Sequence, residues 1–229
     1  MGATIEEIKD YAEQCLSRAN GSHAWEHTQR VYNLCMHIGH VEGADPEVLE
    51  LAAYLHDIGR FYQDESKGTI CHAEKGAEMA HDLLEQYPIS GEQRANVLHC
   101  IRSHRFRGNS YPETLEAKVL FDADKLDAIG AIGIARAFQF AGEIGAKLHN
   151  PSVNLEDTEP YTEEDTGYRE FRVKLCKIKD RMLTAEGLRM AEERHAFMEA
   201  FFERFLKEHE GIQWTAQAMW PQTIGTSAP

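Results

Sequence analysis

Residues 45–59 have the sequence DPEVLELAAYLHDIG, and this stretch sets the type of fold. The opening Asp-Pro pair is a typical helix start, because aspartate caps free amide groups and proline suits the first helical position. Apolar residues then recur with helical spacing until Gly59 ends the pattern. His56 continues the apolar stripe, whose earlier members are Leu49, Ala52 and Ala53. The stretch therefore predicts a helix that carries an ionisable side chain towards the core.

Similar signals divide the rest of the chain into helices. Capping boxes begin two of them, at Thr4 and Ser90, and Ser22 is a candidate cap for a third. The predicted segments are residues 4–20, 22–43, 71–87, 90–104, 114–148, 168–182 and 185–209. Gly130 and Gly133 are candidates to bend or break the longest segment. We expect loops at 60–69 and 149–167, and since no alternating strand pattern occurs, we predict an all-α fold.

Several ionisable residues share the apolar stripes of these helices. A buried carboxylate without a partner costs several kcal/mol, so an inward-facing aspartate requires a partner. One inward histidine is usually a core residue, whereas two aspartates and up to four histidines on five helices favour convergence on a cation. The members of the set are His27, His56, Asp57, His72, His104 and Asp124. Imidazole nitrogens with carboxylate oxygens suit Mn, Fe, Co, Ni or Zn, and the pattern does not choose among these metals.

Two further aspartates lie near Asp124. Asp122 falls on the face of Lys118 and Lys125, where helical ion pairs predict a structural role. Asp127 lies about one turn beyond Asp124, so it either orients a metal ligand, contacts substrate or has neither role.

Composition and charge exclude several classes of protein. The chain has 229 residues and a formal net charge of −14 at pH 7, which argues against binding to a nucleic-acid polymer. No run approaches the ~20 apolar residues of a membrane span, and the first residues lack the apolar core of an export signal. The five cysteines form no C-x-x-C pair, so we expect neither disulfides nor a thiolate metal site. We therefore expect a cytoplasmic protein that does not bind membranes.

The order His, His-Asp, Asp resembles the motif blocks of the HD-domain superfamily. The resemblance rests on HAWEHTQRV, AAYLHDIGRF, GTICHAEKGAE, IRSH and LFDADKLDAIGAIG, at roughly residues 20–135. The segment KLCKIKDRMLTAEGLRMAEERHAFMEAFFERF resembles the C-terminal part of small bacterial and archaeal HD hydrolases, a subgroup that includes manganese-dependent nucleotide pyrophosphohydrolases.

This resemblance implies an HD-domain helical bundle with extra C-terminal helices. We expect one domain at 1–210, with the motif core at 20–135, a helical extension at 166–210 and a loosely ordered tail at 211–229.

The resemblance also implies a site, position by position. A divalent metal is bound by His27, His56, Asp57 and Asp124, and Arg30 is a basic residue behind these ligands. Manganese is expected ahead of Co, Ni, Fe, Zn or Mg, and the implied substrate is a small phosphorylated molecule, a nucleotide.

Two positions depart from the family pattern. Arg60 stands where nucleotidases with an HD-x-x-E pattern carry a catalytic Glu, and Ala24 stands where many members carry Asp.

The predicted activity is hydrolysis of a phosphoanhydride or phosphomonoester by metal-activated water. Asp57 or Asp127 would orient or deprotonate that water. The candidates that neutralise phosphate or protonate the leaving oxygen are Arg60, His72, His104 and Lys125. Basic residues of the C-terminal segment either close over the substrate or form a solvated helix face; they include Lys179, Arg181 and Arg194.

Two alternatives remain open. His72 and His104 are also candidate ligands of a second metal bridged by Asp57, as in dinuclear HD phosphodiesterases and di-iron oxygenases. A protein of another class, a metal- or nucleotide-binding regulatory module without turnover, is the second alternative, although degenerate HD proteins typically lose some of the ligands that are intact here. The oligomeric state is not predicted by the sequence.

Overall fold

Ten α-helices and no strand make up the regular structure of the residues that the computed structural model describes, which are 4–17, 25–105 and 110–212. The helices are α1 (Ile5–Leu16), α2 (Trp25–Glu42), α3 (Pro46–Leu55), α4 (Arg60–Glu65), α5 (His72–Leu84), α6 (Gly91–Ser103), α7 (Leu115–Leu126), α8 (Gly130–Glu143), α9 (Gly167–Val173) and α10 (Ala185–His209). The all-α prediction is confirmed.

The predicted helix starts follow the expected chemistry. Thr4 and Ser90 form capping boxes with Glu7 and Gln93, in which each side chain bonds the other residue's backbone amide. Asp45 accepts hydrogen bonds from two amides at the start of α3, directly before Pro46. These local signals were sufficient to place the starts of α1, α3 and α6.

Three predicted boundaries differ from the structure. The segment 60–69 begins with the short helix α4 instead of being a loop throughout. The long segment 114–148 is two helices, because the chain turns after α7 and Gly130 adopts a φ of +78°, which favours glycine. The segment 168–182 is helical only to Val173, since Lys174 leaves helical geometry with φ −134° and ψ −58° before two short 3₁₀ turns.

Five helices surround the part of the core that matters for the site. Helices α2, α3, α5, α6 and α7 pack against one another, and α10 packs against α8, α7 and α2. The shared core consists of aliphatic side chains such as Val31, Leu55, Ile101 and Leu120. Several of the ionisable residues lie at helix ends next to this core: His56, His72 and His104.

Some expectations lie outside the described residues. The proposed cap at Ser22 and the tail from residue 213 onward belong to this group. Among the described residues, no helix combines the length and apolar character required to cross a bilayer.

Candidate metal centre

The first group of possible ligands joins α2, the end of α3 and α7. His27 lies in the first turn of α2, His56 caps the C-terminus of α3, and Asp124 lies on α7. The Nε2 atom of His27 is 3.3 Å from Nε2 of His56 and 3.4 Å from Oδ1 of Asp124. These three residues offer one ligand atom each within 4.8 Å of one another, which is a spacing that one cation can bridge.

The second group consists of Asp57, His72 and His104. Oδ1 of Asp57 is 3.0 Å from Nε2 of His72, at the start of α5, and 3.6 Å from Nε2 of His104, at the end of α6. Oδ2 of Asp57 is instead directed at the first group, 3.9 Å from His27 and 3.8 Å from His56. The carboxylate therefore lies between two pairs of histidines, with one oxygen towards each pair.

The hydrogen bonds behind the histidines determine which nitrogen faces the centre. Each Nδ1 lies against an acceptor: Asp127 Oδ2 at 2.8 Å for His27, Ala53 O at 2.8 Å for His56, Gln63 Oε1 at 2.9 Å for His72 and Ile101 O at 2.7 Å for His104. An Nδ1–H donor leaves a lone pair on Nε2 in the neutral ring. Metal-binding histidines are oriented in this manner.

The residues of both groups suit a bound divalent metal ion. Lone pairs on facing imidazole nitrogens repel one another and the nearby carboxylates unless a proton or a cation lies between them. Five of the six possible ligands have side chains no more than 2% exposed, and Asp124 is 18% exposed. The set contains nitrogen and carboxylate ligands without thiolates, as expected for divalent transition metals.

Burial and neighbouring charge shift the pKa values of the histidines in different directions. Burial lowers the pKa of His56 to about 4 and that of His72 to about 3, so both rings are neutral at pH 7. Burial also lowers the pKa of His27, but hydrogen bonds to Asp124 and Asp127 outweigh it and raise the value to about 9. In the absence of a cation, a proton on His27 offsets the surrounding negative charge.

Asp127 lies behind His27 and is 1% exposed. Its carboxylate accepts hydrogen bonds from His27 Nδ1, from Arg30, which lies on α2 like His27, and from Arg136 on α8. The distances are between 2.6 and 3.1 Å. Although burial opposes ionisation, these donors hold the pKa of Asp127 below its usual range. Both oxygens of Asp127 accept hydrogen bonds from these donors, and Asp127 bonds Nδ1 of His27, the nitrogen that faces away from the centre.

Two basic side chains, Arg60 and Lys125, lie beside the acidic ligands. Nη2 of Arg60 is 3.0 Å from each oxygen of Asp57, and the Arg60 side chain is 11% exposed. Nζ of Lys125 bonds Oδ2 of Asp124 at 2.5 Å and the carbonyl oxygen of His104 at 3.3 Å. The residues expected at the metal centre therefore lie within this cluster or directly behind it, whereas Lys179 bonds Asp180 and Arg194 bonds the carbonyl oxygen of Leu126.

The sequence predicted a structural role for Asp122 through ion pairs with Lys118 and Lys125. Those partners are wrong. Asp122 is fully buried and accepts hydrogen bonds from the Leu183 and Thr184 amides and from the Thr184 hydroxyl, at 2.6–3.2 Å. A Cβ atom on Gly187 would lie 2.3 Å from Asp122 Oδ2, so this approach requires glycine. Its role is structural, as predicted, but it attaches the C-terminal segment to α7 and forms no lysine pair.

Three residues of the cluster were missed from the sequence: Gln63, Arg105 and Arg136. Gln63 accepts from His72 and, at 2.8 Å, from Arg105, and it lies in the segment that was interpreted as a loop. Arg136 contacts Asp127 from α8. A usable signal existed for Arg136, since it is the one charged residue in the apolar run 128–142.

Fold and site together define a helical metal-dependent hydrolase. The model of the HD domain family matches residues 24–129. A Bacillus subtilis strain 168 protein, described as uncharacterized protein YpgQ, is 34% identical over 211 residues, which cover 90% of this chain and 94% of the relative. The chain belongs to the HD superfamily and to its metal-dependent phosphohydrolases.

Solved structures agree with this assignment. An HD-superfamily hydrolase from Bacillus thuringiensis matches with a TM-score of 0.72 and 32% identity, over 90% of this chain and 96% of that one. Bacillus subtilis YpgQ in complex with ADP matches with a TM-score of 0.70 and 31% identity, over 91% and 96%. The predicted family and the predicted class of enzyme are confirmed.

Proposed function

We propose that the chain hydrolyses a phosphoanhydride or phosphomonoester bond of a nucleotide at a divalent cation held by His27, His56, Asp57 and Asp124. The observation that carries the proposal is the close approach of His27 Nε2 to His56 Nε2 at 3.3 Å, to Asp124 Oδ1 at 3.4 Å and to Asp57 Oδ2 at 3.9 Å. Of the candidate metals, Mn²⁺ is the first choice because of the resemblance to manganese-dependent members; Co, Ni, Fe, Zn and Mg are the alternatives.

Each residue of the cluster has a role in this proposal. A cation held by His27, His56, Asp57 and Asp124 would lower the pKa of a bound water and polarise a phosphoryl oxygen. Asp57 orients the attacking water, and Nη2 of Arg60 bonds both oxygens of Asp57. Lys125 neutralises phosphate charge at the rim, beside the partly exposed Asp124. His72 is neutral at pH 7 and its Nε2 faces the centre without a proton, so it does not protonate the leaving oxygen; His72 and His104 are instead candidate ligands of a second cation.

Asp127 and Arg30 are positioning residues in this scheme. Both oxygens of Asp127 already accept hydrogen bonds, so its contacts favour orienting His27 over accepting a proton from water. Arg30 and Arg136 hold the carboxylate in place for that purpose.

Support for a nucleotide comes from two sources. The similar protein YpgQ has been crystallised with ADP. The formal charge of −14 opposes binding to a polymeric nucleic acid, whereas a small phosphorylated molecule needs positive charge only at the centre.

A second candidate is a dinuclear centre, in which Asp57 bridges two cations. It is favoured by the two oxygens of Asp57, which are directed at different pairs of histidines, and by the close group Asp57, His72 and His104. Metal analysis of His104→Ala distinguishes the candidates. Loss of half of the bound metal supports two cations, and unchanged content supports one.

The proposal is tested by phosphorus NMR of a nucleotide and phosphoester panel incubated with the protein and Mn²⁺. Asp57→Asn should abolish turnover, whereas Asp82→Asn, at a side chain that is 88% exposed, should not change it. Pyrophosphate from a nucleoside triphosphate identifies a pyrophosphohydrolase, and orthophosphate from a monophosphate identifies a phosphatase. Nucleotide binding without product, with every divalent ion tested, would instead establish the regulatory module.

A further inference from the structure

Three arginine side chains from three different helices meet the C-terminal end of α7. Arg30 on α2 and Arg136 on α8 both bond Oδ2 of Asp127, at 3.1 and 2.7 Å, so their guanidinium groups are neighbours. Arg194 on α10 bonds the carbonyl oxygen of Leu126 at 2.5 Å. Because residues 126 and 127 are consecutive, the three guanidinium groups surround one helix end. These three arginines form the α7 arginine cluster.

The α7 arginine cluster carries more positive charge than its surroundings neutralise. Among the described residues, the three guanidinium groups share a single carboxylate, that of Asp127, and Arg194 forms no ion pair with any carboxylate. Arg194 is half-buried, and burial lowers its pKa because the lost hydration is not replaced by a nearby negative charge. An excess of positive charge in a chain of formal net charge −14 therefore predicts an anionic ligand at this helix end.

The cluster is accessible, and it has donors left for a ligand. The side chains of Arg30 and Arg136 are 32% and 21% exposed. Arg30 bonds Asp127 through Nε and Nη2, whereas Arg136 uses only Nη1. Within the described part of the chain, Nη1 of Arg30 and both Nε and Nη2 of Arg136 therefore remain for another acceptor. Phosphate is the anion that suits them, because guanidinium groups bond its oxygens in pairs.

We propose that the α7 arginine cluster binds a phosphate group. The cluster lies behind Asp127, which bonds Nδ1 of His27, whereas the metal ligands approach Nε2 of the same ring, so this site is separate from the cation. Phosphate binding here goes beyond the proposed function, because it requires neither the cation nor turnover. The phosphate group comes either from the end of the proposed nucleotide or from free phosphate, and two titrations distinguish these sources.

Arg194 is the member of the cluster to substitute, because it bonds the Leu126 carbonyl instead of a side chain of the centre. Arg194→Met removes the charge and keeps a carbon chain against Gly130, where a Cβ atom would lie 3.0 Å from Cγ of Arg194. Arg189→Met is the matched control on the same helix, since the Arg189 guanidinium already bonds Glu186 through two nitrogens at 2.8 Å. General electrostatic attraction would be weakened similarly by both substitutions, and a specific contact only by Arg194→Met.

Calorimetric titration of the full chain with inorganic phosphate, with Mn²⁺ present and again without it, tests the site. We expect Arg194→Met to weaken phosphate binding about tenfold under both conditions, and Arg189→Met to change it less than about twofold. Arg194→Lys should recover part of the loss, because it restores the charge without the paired donors. Arg136→Lys, on a different helix, should also weaken binding, which distinguishes loss of the site from a packing defect in α10.

A second titration, with the α,β-methylene analogue of ADP in the presence of Mn²⁺, identifies the source of the phosphate group. A tenfold loss in Arg194→Met indicates that the terminal phosphate of a nucleotide occupies the cluster. Unchanged affinity for the analogue, together with weakened binding of inorganic phosphate, indicates a site for free phosphate.

Two results would overturn the proposal. One is phosphate binding by the unmodified chain that disappears when Mn²⁺ is removed, because the cation alone would then hold the anion. The other is equal affinity of Arg194→Met and the unmodified chain for both ligands. Absence of turnover in the phosphorus NMR panel would remove the proposed hydrolysis only, since the titration without Mn²⁺ decides the phosphate site independently.

Discussion

Nδ1 of His27 lies 2.8 Å from Oδ2 of Asp127, a residue one hundred positions further along the chain. This contact directs the Nε2 lone pair of His27 at His56 and Asp124, and it supplies negative charge that favours a proton on the ring. This hydrogen bond thus orients a candidate ligand and, together with the bond to Asp124, favours its protonation.

Metal binding should release a proton from His27. Its pKa is about 9 in the absence of a cation, so the ring is charged at pH 7 and must lose its proton before Nε2 coordinates. His56, with a pKa of about 4, is already neutral and contributes no proton. Affinity for Mn²⁺ should therefore rise about tenfold per pH unit from pH 7 and level off as pH passes 9.

Calorimetry in buffers of different ionisation enthalpy measures this release. About one proton per cation is expected at pH 7, and the number should decline towards zero above the pKa. A heat of binding that does not depend on the buffer at pH 7 would contradict the assignment of the proton to His27.

Asp127→Asn should weaken metal binding without removing a ligand. The substitution keeps the shape of the side chain but removes the charge that orients His27 and pairs with Arg30 and Arg136. We expect a loss of about 10–100-fold in Mn²⁺ affinity, measured by equilibrium dialysis. Asp82→Asn is the control for the loss of one negative charge, and a change of less than about twofold in Asp127→Asn would refute the positioning role.

Gln63→Leu should change the tautomer of His72. Oε1 of Gln63 accepts from His72 Nδ1 at 2.9 Å and from Arg105 at 2.8 Å, and leucine of similar shape removes this acceptor. Nitrogen-15 NMR of the metal-free protein should show a single Nδ1–H form of His72 before the substitution and a mixture after it. Gln139→Leu, at an exposed position on α8, should leave the His72 signals unchanged.

Gly59→Ala should both destabilise the fold and disturb the site. A Cβ atom there would lie 2.3 Å from the carbonyl oxygen of His72 and 2.6 Å from the amide nitrogen of Gly76, so the backbone of α5 must move away. We expect a loss of about 1–3 kcal/mol in the free energy of unfolding, measured with urea.

The matched control for Gly59→Ala is Gly142→Ala on α8. No atom lies within 4 Å of a Cβ at position 142, so alanine there should raise the free energy of unfolding by about 0.5–1 kcal/mol. Equal effects of the two substitutions would show that the close approach of α5 to Gly59 has no energetic importance.

Much of the fold was predictable because its signals are local. The capping box at Thr4, the Asp45-Pro46 start and the stripe leading to His56 each involve residues within one or two helical turns. The errors arose where distant contacts prevail over local pattern. The helix predicted to end at residue 182 stops at Val173, and the segment beyond it supplies the amides of Leu183 and Thr184 to Asp122, some sixty positions away.

The sequence by itself determined which side chains turn towards the core, since helical periodicity places His27, His56 and Asp124 on apolar stripes whatever the neighbouring helices are. Only the tertiary structure decided how they meet. The packing of separate helices places Asp57 between two pairs of histidines. It also brings Asp127 to His27, Gln63 to His72 and Arg136 to Asp127. The physical reason is range: periodicity acts over a few residues, whereas a metal centre is assembled by hydrogen bonds between helices that lie far apart in the chain.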